Sequence, residues 1–309
     1  MQHTLKDQVT FKGKGLHSGE DVTMIVSPAL ANQGIKFIRQ DITDVDNVIP
    51  AQWDMVEASQ LCTRLTNKAG ISVSTIEHVM AAFAGLGIDN AIVILDDGEV
   101  PIMDGSSKQF VDAFKQVGLQ SLDAPRKALR ILKTVEIKDD EGRVARFEPD
   151  VSSMFEYTID FDNDMIGRQS YVFDLNDNVA FQSELSDCRT FTRMQDVTML
   201  QQAGLIKGGG LDNAVVYDND RVLNPEGLRR EDEAVRHKLL DAIGDTYLLG
   251  MPIIGRFVCE KGGHALTNQL LHELMSDPRH YAIIEDHLGI GTSSLDGNVS
   301  STSKLAYNA

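Results

Sequence analysis

The most clearly marked helix of the chain, Glu231 to Leu249, limits what the rest can fold into. Glu231, Asp232 and Glu233 crowd its first turn, where the helix dipole favours negative charge. His237, Asp241 and Asp245 then follow at i, i+4 and i+8, which draws one polar line along the helix. Val235, Leu239, Ala242 and Ile243 supply the apolar faces beside it. The line is either a solvated face or a pair of metal ligands one turn apart, since a His and an Asp at this spacing reach a single ion. An isolated H-x-x-x-D is common, so the pattern alone is weak.

Two further segments carry candidate chemistry. In Thr75-Ile76-Glu77-His78, His78 is a candidate third ligand and Glu77 a candidate general base. The competing reading is structural, because Ser74 and Glu77 have the spacing of a capping box. Two His and one Asp, if they converge, leave a fourth tetrahedral position open for water, as in catalytic zinc sites. In Gly262-Gly263-His264, the glycines let the backbone approach a ligand closely. His264 reads as a general acid or as a loop histidine with no task. Asp245 would raise its pKa by opposite charge, or else is a surface carboxylate.

Along the chain, strands and helices interleave. Asp21–Val26 and Gly34–Ile38 have strand composition, Ser74–Gly85 reads as a helix, Asn90–Leu95 as a buried strand and Ser107–Val117 as an amphipathic helix. After a boundary near 121–125 the order repeats. Strand-like runs at Ala128–Ile137, Arg143–Phe147 and Phe155–Phe161 lead through a polar stretch around Asp177 and a short helix near Asp196–Ala203 to the marked helix. A strand at Ile253–Cys259 and a helix over Leu266–Met275 close the series. Strands first and then helices, twice, predict an α+β fold of two layered domains, residues 1–124 and 125–288. Residues 289–309, rich in Ser, Gly, Asn and Thr, predict a disordered tail.

Composition excludes several function classes. A net charge of -17 over 309 residues argues against wrapping nucleic acid, which needs clustered Lys and Arg, and gives no general attraction to an anionic membrane. Three scattered cysteines, Cys62, Cys188 and Cys259, read as reduced cytoplasmic thiols rather than a disulfide frame or a closed metal site. The first residues have no secretory pattern. Val79–Leu95, the longest apolar stretch, is broken by Asp89 and Asn90, which disfavours a transmembrane helix. A soluble, cytoplasmic protein is expected, and a monomer, since nothing suggests a coiled coil or repeat interface.

Several runs together closely resemble the bacterial UDP-3-O-acyl-N-acetylglucosamine deacetylases. They are Gly15–Gly19, Thr75–His78, Ala84–Asn90, Pro101–Ser106, Cys188–Phe191, Arg236–Asp245 and Gly263–Asn268, in order from about residue 3 to about 275. The resemblance implies two similar domains, each a small sheet layered on helices, with the active site between them. It implies a zinc enzyme that removes the N-acetyl group of UDP-3-O-(3-hydroxyacyl)-N-acetylglucosamine, giving acetate and a free amine, and so commits the precursor of lipid A to its pathway.

Carried over by position, the zinc ligands fall on His78, His237 and Asp241, the general base on Glu77, the second catalytic histidine on His264, its acidic partner on Asp245 and the oxyanion helper on Thr190. Lys238 would meet the diphosphate and Phe161 the uracil. An inserted unit near 191–216 would form an acyl passage lined by Leu61, Phe191, Met194, Val197, Ile206 and Leu211, residues that otherwise read as ordinary core. The alternatives are another zinc amidase, although no H-E-x-x-H is present, and a non-enzymatic metal- or nucleotide-binding protein. A pure binder would need neither Glu77, Thr190 nor His264.

Overall fold

Alternation of apolar and polar residues sets the two faces of the strands. In Asp21–Pro28, Val22, Met24 and Val26 are buried and the residues between them are not. The computed structural model describes residues 1–163 and 165–286, so the expectation for the tail 289–309 lies outside the described residues. Among these residues several small sheets pack against six helices: α1 (Glu77–Leu86), α2 (Lys108–Val117), α3 (Asn178–Ala180), α4 (Met194–Gln202), α5 (Glu233–Thr246) and α6 (His264–Ser276). The fold is mixed α+β, as expected. No helix among the described residues is long and apolar enough to cross a membrane.

One topology is used twice. The first sheet runs Val9–Lys14, Asp21–Pro28, Ala91–Leu95, Ile35–Arg39, Val48–Pro50. Its only parallel neighbours are Ile35–Arg39 and Ala91–Leu95. In the second sheet, Val135–Lys138, Val144–Glu148, Ile253–Glu260, Ser153–Asp160 and Arg168–Asp174 adjoin in the same order and the same senses. Lys127–Ile131 and Tyr281–Glu285 extend it. Parallel strands need a long crossover, and each crossover here carries a three-stranded insert followed by a helix. The first insert (Val56–Glu57, Arg64–Thr66, Ser72–Ser74) leads into α1, and the second (Phe191–Arg193, Val215–Asp218, Arg221–Val222) leads into α5.

The start of α1 differs from the expected capping box. Ser74 closes a strand, and the helix begins at Glu77 with no side-chain cap. Thr75 between them takes a φ of 60°, and its hydroxyl donates to the buried Glu99 at 2.8 Å. That turn leaves the Glu77 carboxylate facing inward, where it accepts from the Thr63 N–H at 3.0 Å. The polar stretch around Asp177 contains α3, too short to show a period. Asp177 caps it by accepting from the Ala180 N–H at 2.8 Å.

The two layered units are joined at their backbones. Every residue of α1 is buried, and α5 is buried along His237, Asp241 and Asp245 as well as along its apolar faces. At their crossing, a Cβ on Gly244 would lie 2.1 Å from the Glu77 carbonyl oxygen and 3.0 Å from the Ala81 nitrogen. A second tie is Arg126, which donates to Asp89 at 2.6 Å and approaches Asp286 at 3.3 Å and the Tyr247 hydroxyl at 3.5 Å.

Replacing a helical glycine by alanine ordinarily stabilises by up to about 1 kcal/mol. For Gly244→Ala the sign reverses, because overpacking against backbone costs about 3 kcal/mol. The net loss of about 2 kcal/mol is expected to lower the thermal unfolding midpoint by about 4–8 °C. An unchanged or raised midpoint would show that α1 and α5 are not in backbone contact.

Candidate metal centre and acid–base site

The crossing of α1 and α5 brings His78, in the first turn of α1, onto the polar line of α5. The His78 Nε2 lies 3.5 Å and the His237 Nε2 3.3 Å from the same oxygen, Asp241 Oδ1. The ligating atoms of the three residues all lie within 4.8 Å of one another, and all three residues are buried. Asp241 Oδ1 has no hydrogen-bond donor. A buried carboxylate oxygen without a donor is costly unless a cation meets it. Two imidazole nitrogens and one carboxylate oxygen are a fitting donor set for zinc.

The protonation of the ligands suits that role. Burial lowers the His237 pKa to about 3, so its ring stays neutral. Its Nδ1 lies 3.0 Å from the Cys188 carbonyl, which accepts a hydrogen bond from Nδ1–H and leaves the Nε2 lone pair facing Asp241. The same peptide is held at its other end. The Arg189 N–H donates to Glu233 at 3.0 Å, and the Arg189 side chain adds a bond of 2.9 Å. Glu233 and His237 are one turn apart on α5, so the helix grips both ends of one peptide unit. Burial opposes ionisation of Asp241, yet the Lys238 ammonium and the charged His264 nearby hold its carboxyl well below the ordinary range. Lys238 donates to Asp241 Oδ2 at 2.8 Å, which leaves Oδ1 to the two histidines.

Beside this centre stand further ionisable groups. Glu77 is 3% exposed, and burial raises its pKa, the direction a base working near neutrality needs. His264 begins α6 and places Nδ1 2.7 Å from Asp245 Oδ2. Burial alone would lower the His264 pKa, but Asp245 overrides it and carries the value up to about 9. Thr190 lines the same cavity, fixed by its N–H on the Gly105 carbonyl at 2.7 Å and its carbonyl on the Val215 N–H at 2.8 Å.

The cavity encloses about 950 Å³, towards the upper end of small-molecule sites. His78, His237, Asp241, Glu77, His264, Thr190 and Lys238 line it. So do Phe161, Phe191, Leu61, Met194, Val197, Ile206 and Leu211. Of the last group, Phe161 and Phe191 are half-buried and pack against the core, whereas the others lie outside it. No residue of α4 is buried, and Leu61, Met194 and Leu211 are exposed. These apolar side chains form a wall that faces the cavity. Phe161 packs edge-on against Phe191, with ring centroids 5.5 Å apart.

Other contributors escape a reading of motifs. Arg143, at the end of an ordinary-looking hairpin turn, reaches the cavity, and Thr63 touches Glu77 and Asp245 from a segment with no motif. Glu99 is a third case. It accepts from the His17 and Ser18 N–H groups at 2.9 Å each and from Thr75, so one buried carboxylate shapes both the Gly15–Gly19 turn and the entry to α1.

Comparison with known proteins places this geometry in context. The family model described as UDP-3-O-acyl N-acetylglycosamine deacetylase matches residues 2–276. A protein of Phenylobacterium zucineum named UDP-3-O-acyl-N-acetylglucosamine deacetylase is 46% identical over 277 residues, covering 90% of this chain and 94% of that protein. Proteins of the same name from Shewanella pealeana and Haemophilus influenzae are 44% and 42% identical, each over 92% of both chains.

The raised pKa of His264 has a stated sign. Its contribution to stability is fully present below the ordinary value of 6.5 and is lost as pH rises through about 9. In metal-free protein the ¹⁵N-labelled His264 ring should therefore titrate near 9. In Asp245→Asn the largest raising influence is gone and only Glu77 is left to oppose burial and Lys238, so the ring should titrate well below its wild-type value. Equal titration in the two proteins would show that Asp245 does not charge His264.

Proposed function

The chain belongs to the UDP-3-O-acyl N-acetylglycosamine deacetylase family, and from that premise we propose that it hydrolyses the N-acetyl group of UDP-3-O-(3-hydroxyacyl)-N-acetylglucosamine with zinc as its metal. The observation that carries this reading is the meeting, in one buried volume, of three metal-ligating atoms with a desolvated carboxylate and a carboxylate-charged imidazole. A binding protein needs the first of these and not the other two.

His78 and His237 would hold the ion through Nε2 and Asp241 through Oδ1, the atoms that already face one another. An ion held there would supply Lewis acidity and a lowered water pKa, towards ~7. Glu77, its pKa raised by burial, takes the proton of the attacking water. The Thr190 hydroxyl meets the oxyanion that develops on the carbonyl, a donor worth about 3 kcal/mol in a transition state. His264, kept charged by Asp245, stabilises that charge and returns a proton to the departing amine.

The remaining lining fits the rest of such a substrate. Lys238 spends one donor on Asp241 and has two more for a phosphate oxygen. Phe161 offers a ring for a base to stack on. The exposed apolar wall of Leu61, Phe191, Met194, Val197, Ile206 and Leu211 suits an acyl chain, which gains about 0.8 kcal/mol per buried methylene.

The test is acetate release from the 3-O-acylated UDP-sugar beside UDP-N-acetylglucosamine without the chain. Fast release from the acylated substrate alone is expected, with Glu77→Gln slower by about 10²–10⁴-fold. No release from either by folded, zinc-loaded protein would refute the assignment. Equal release from both would refute the acyl wall.

A further inference from the structure

The acid–base groups stand on three different elements: Glu77 on α1, Asp245 on α5 and His264 at the start of α6. One residue outside the metal centre touches all three. Thr63, 3% exposed, immediately precedes the strand Arg64–Thr66. Its N–H donates to Glu77 Oε2 at 3.0 Å. Its hydroxyl lies 2.6 Å from Asp245 Oδ1 and 3.1 Å from His264 Nδ1.

The hydrogen-bond inventory decides how these contacts are used. A hydroxyl has one proton, and an ionised carboxylate can only accept. The Thr63 proton therefore goes to Asp245 Oδ1. The His264 Nδ1–H donates to Asp245 Oδ2 at 2.7 Å, with the Thr63 oxygen as a second acceptor nearby. Both oxygens of Asp245 are thus engaged, one by each partner, and the plane of the carboxylate cannot turn without breaking one bond. Through its other bond, the same residue holds Glu77.

We infer that Thr63 is a positioning residue of the deacetylation centre, which fixes the Asp245 carboxylate against His264 and sets the separation between that pair and Glu77. This rests on the deacetylase reading for its kinetic consequence, but not for the contacts themselves. Without the hydroxyl, Asp245, only 5% exposed, keeps a buried oxygen that has lost its Thr63 donor, and its carboxylate is free to rotate away from Nδ1. His264 then loses the orientation that points Nε2 towards the cavity. Binding of substrate involves none of these bonds, so the loss falls on kcat and not on KM.

The experiment compares Thr63→Val, Thr63→Ala and Thr63→Ser with wild type, each checked for zinc content and folding. Removing a group that orients a catalytic residue is expected to lower kcat about 10–100-fold, with KM within about twofold and zinc content unchanged. Thr63→Ser should recover most of the rate, and Thr63→Val should add little in an Asp245→Asn background, since the two act as one unit. Thr63→Ala against Thr63→Ser makes the same contrast if Thr63→Val does not fold. A kcat within twofold of wild type for the hydroxyl-free variants, or equal losses for Ser and Val, would overturn the inference and leave the deacetylase reading standing. If wild type itself releases no acetate, the deacetylase reading fails and the proton spectrum still decides the positioning of Asp245. The low-field His264 Nδ1–H resonance should persist in wild type and Thr63→Ser and exchange away in Thr63→Val or Thr63→Ala. An unchanged resonance would overturn the inference.

Discussion

Two helices touching at their backbones hold the rest of the molecule to account. Where Gly244 of α5 meets the Glu77 carbonyl of α1, there is no space for even a methyl group. That approach sets the distance between His78, one residue along α1, and the pair His237 and Asp241 on α5. It also joins two sheets of the same topology, one on each side. Packing at interior density transmits any local displacement, so the geometry of the centre and the junction of the two halves are one constraint.

Burying so many ionisable groups together is expensive, and the structure offsets the cost by giving each a different partner. Asp241 divides its two oxygens between Lys238 and the histidines. Asp245 is bonded to His264 and holds it charged, whereas Glu77 receives a backbone N–H and has its pKa pushed up by burial. Three carboxylates within one desolvated volume thereby sit in three different environments. Glu77 and Asp241 have pKa values driven in opposite directions, the usual mark of acid–base chemistry. Arg126 and Asp89 show the contrasting case, an ion pair at the junction between a buried guanidinium and a half-buried carboxylate, neither of which lines the cavity.

Much of this was legible in the sequence, for identifiable reasons. The i, i+4, i+8 line of α5 could be read because helical periodicity places those side chains together whatever the tertiary fold. Whether the line faced water or the interior could not be read, since only its meeting with α1 decides that. The repeat showed in the sequence as strands before helices in both halves and as the two similar domains that the resemblance implies, but the strand order and pairing did not, because the paired strands are brought together by long crossovers. Local pattern also misassigned Ser74 and Glu77 to a cap. The pull of Glu99 on Thr75, 24 residues away, overrides it. The apolar residues of α4 looked like core for a similar reason: composition reports that a side chain avoids water, not what covers it. Thr63 carried no signal, because its contacts lie 14, 182 and 201 residues away.

The central claim is that His78, His237 and Asp241 converge to hold one divalent ion, and the direct test is elemental analysis of the purified protein alongside zinc-binding titration. Wild type should bind one equivalent of zinc. His237→Ala and Asp241→Ala, each removing one member of the buried set, should keep the far-ultraviolet spectrum and lose affinity by several orders of magnitude. Undiminished one-to-one binding in both variants would contradict the account, since the ion would then be held elsewhere in the chain.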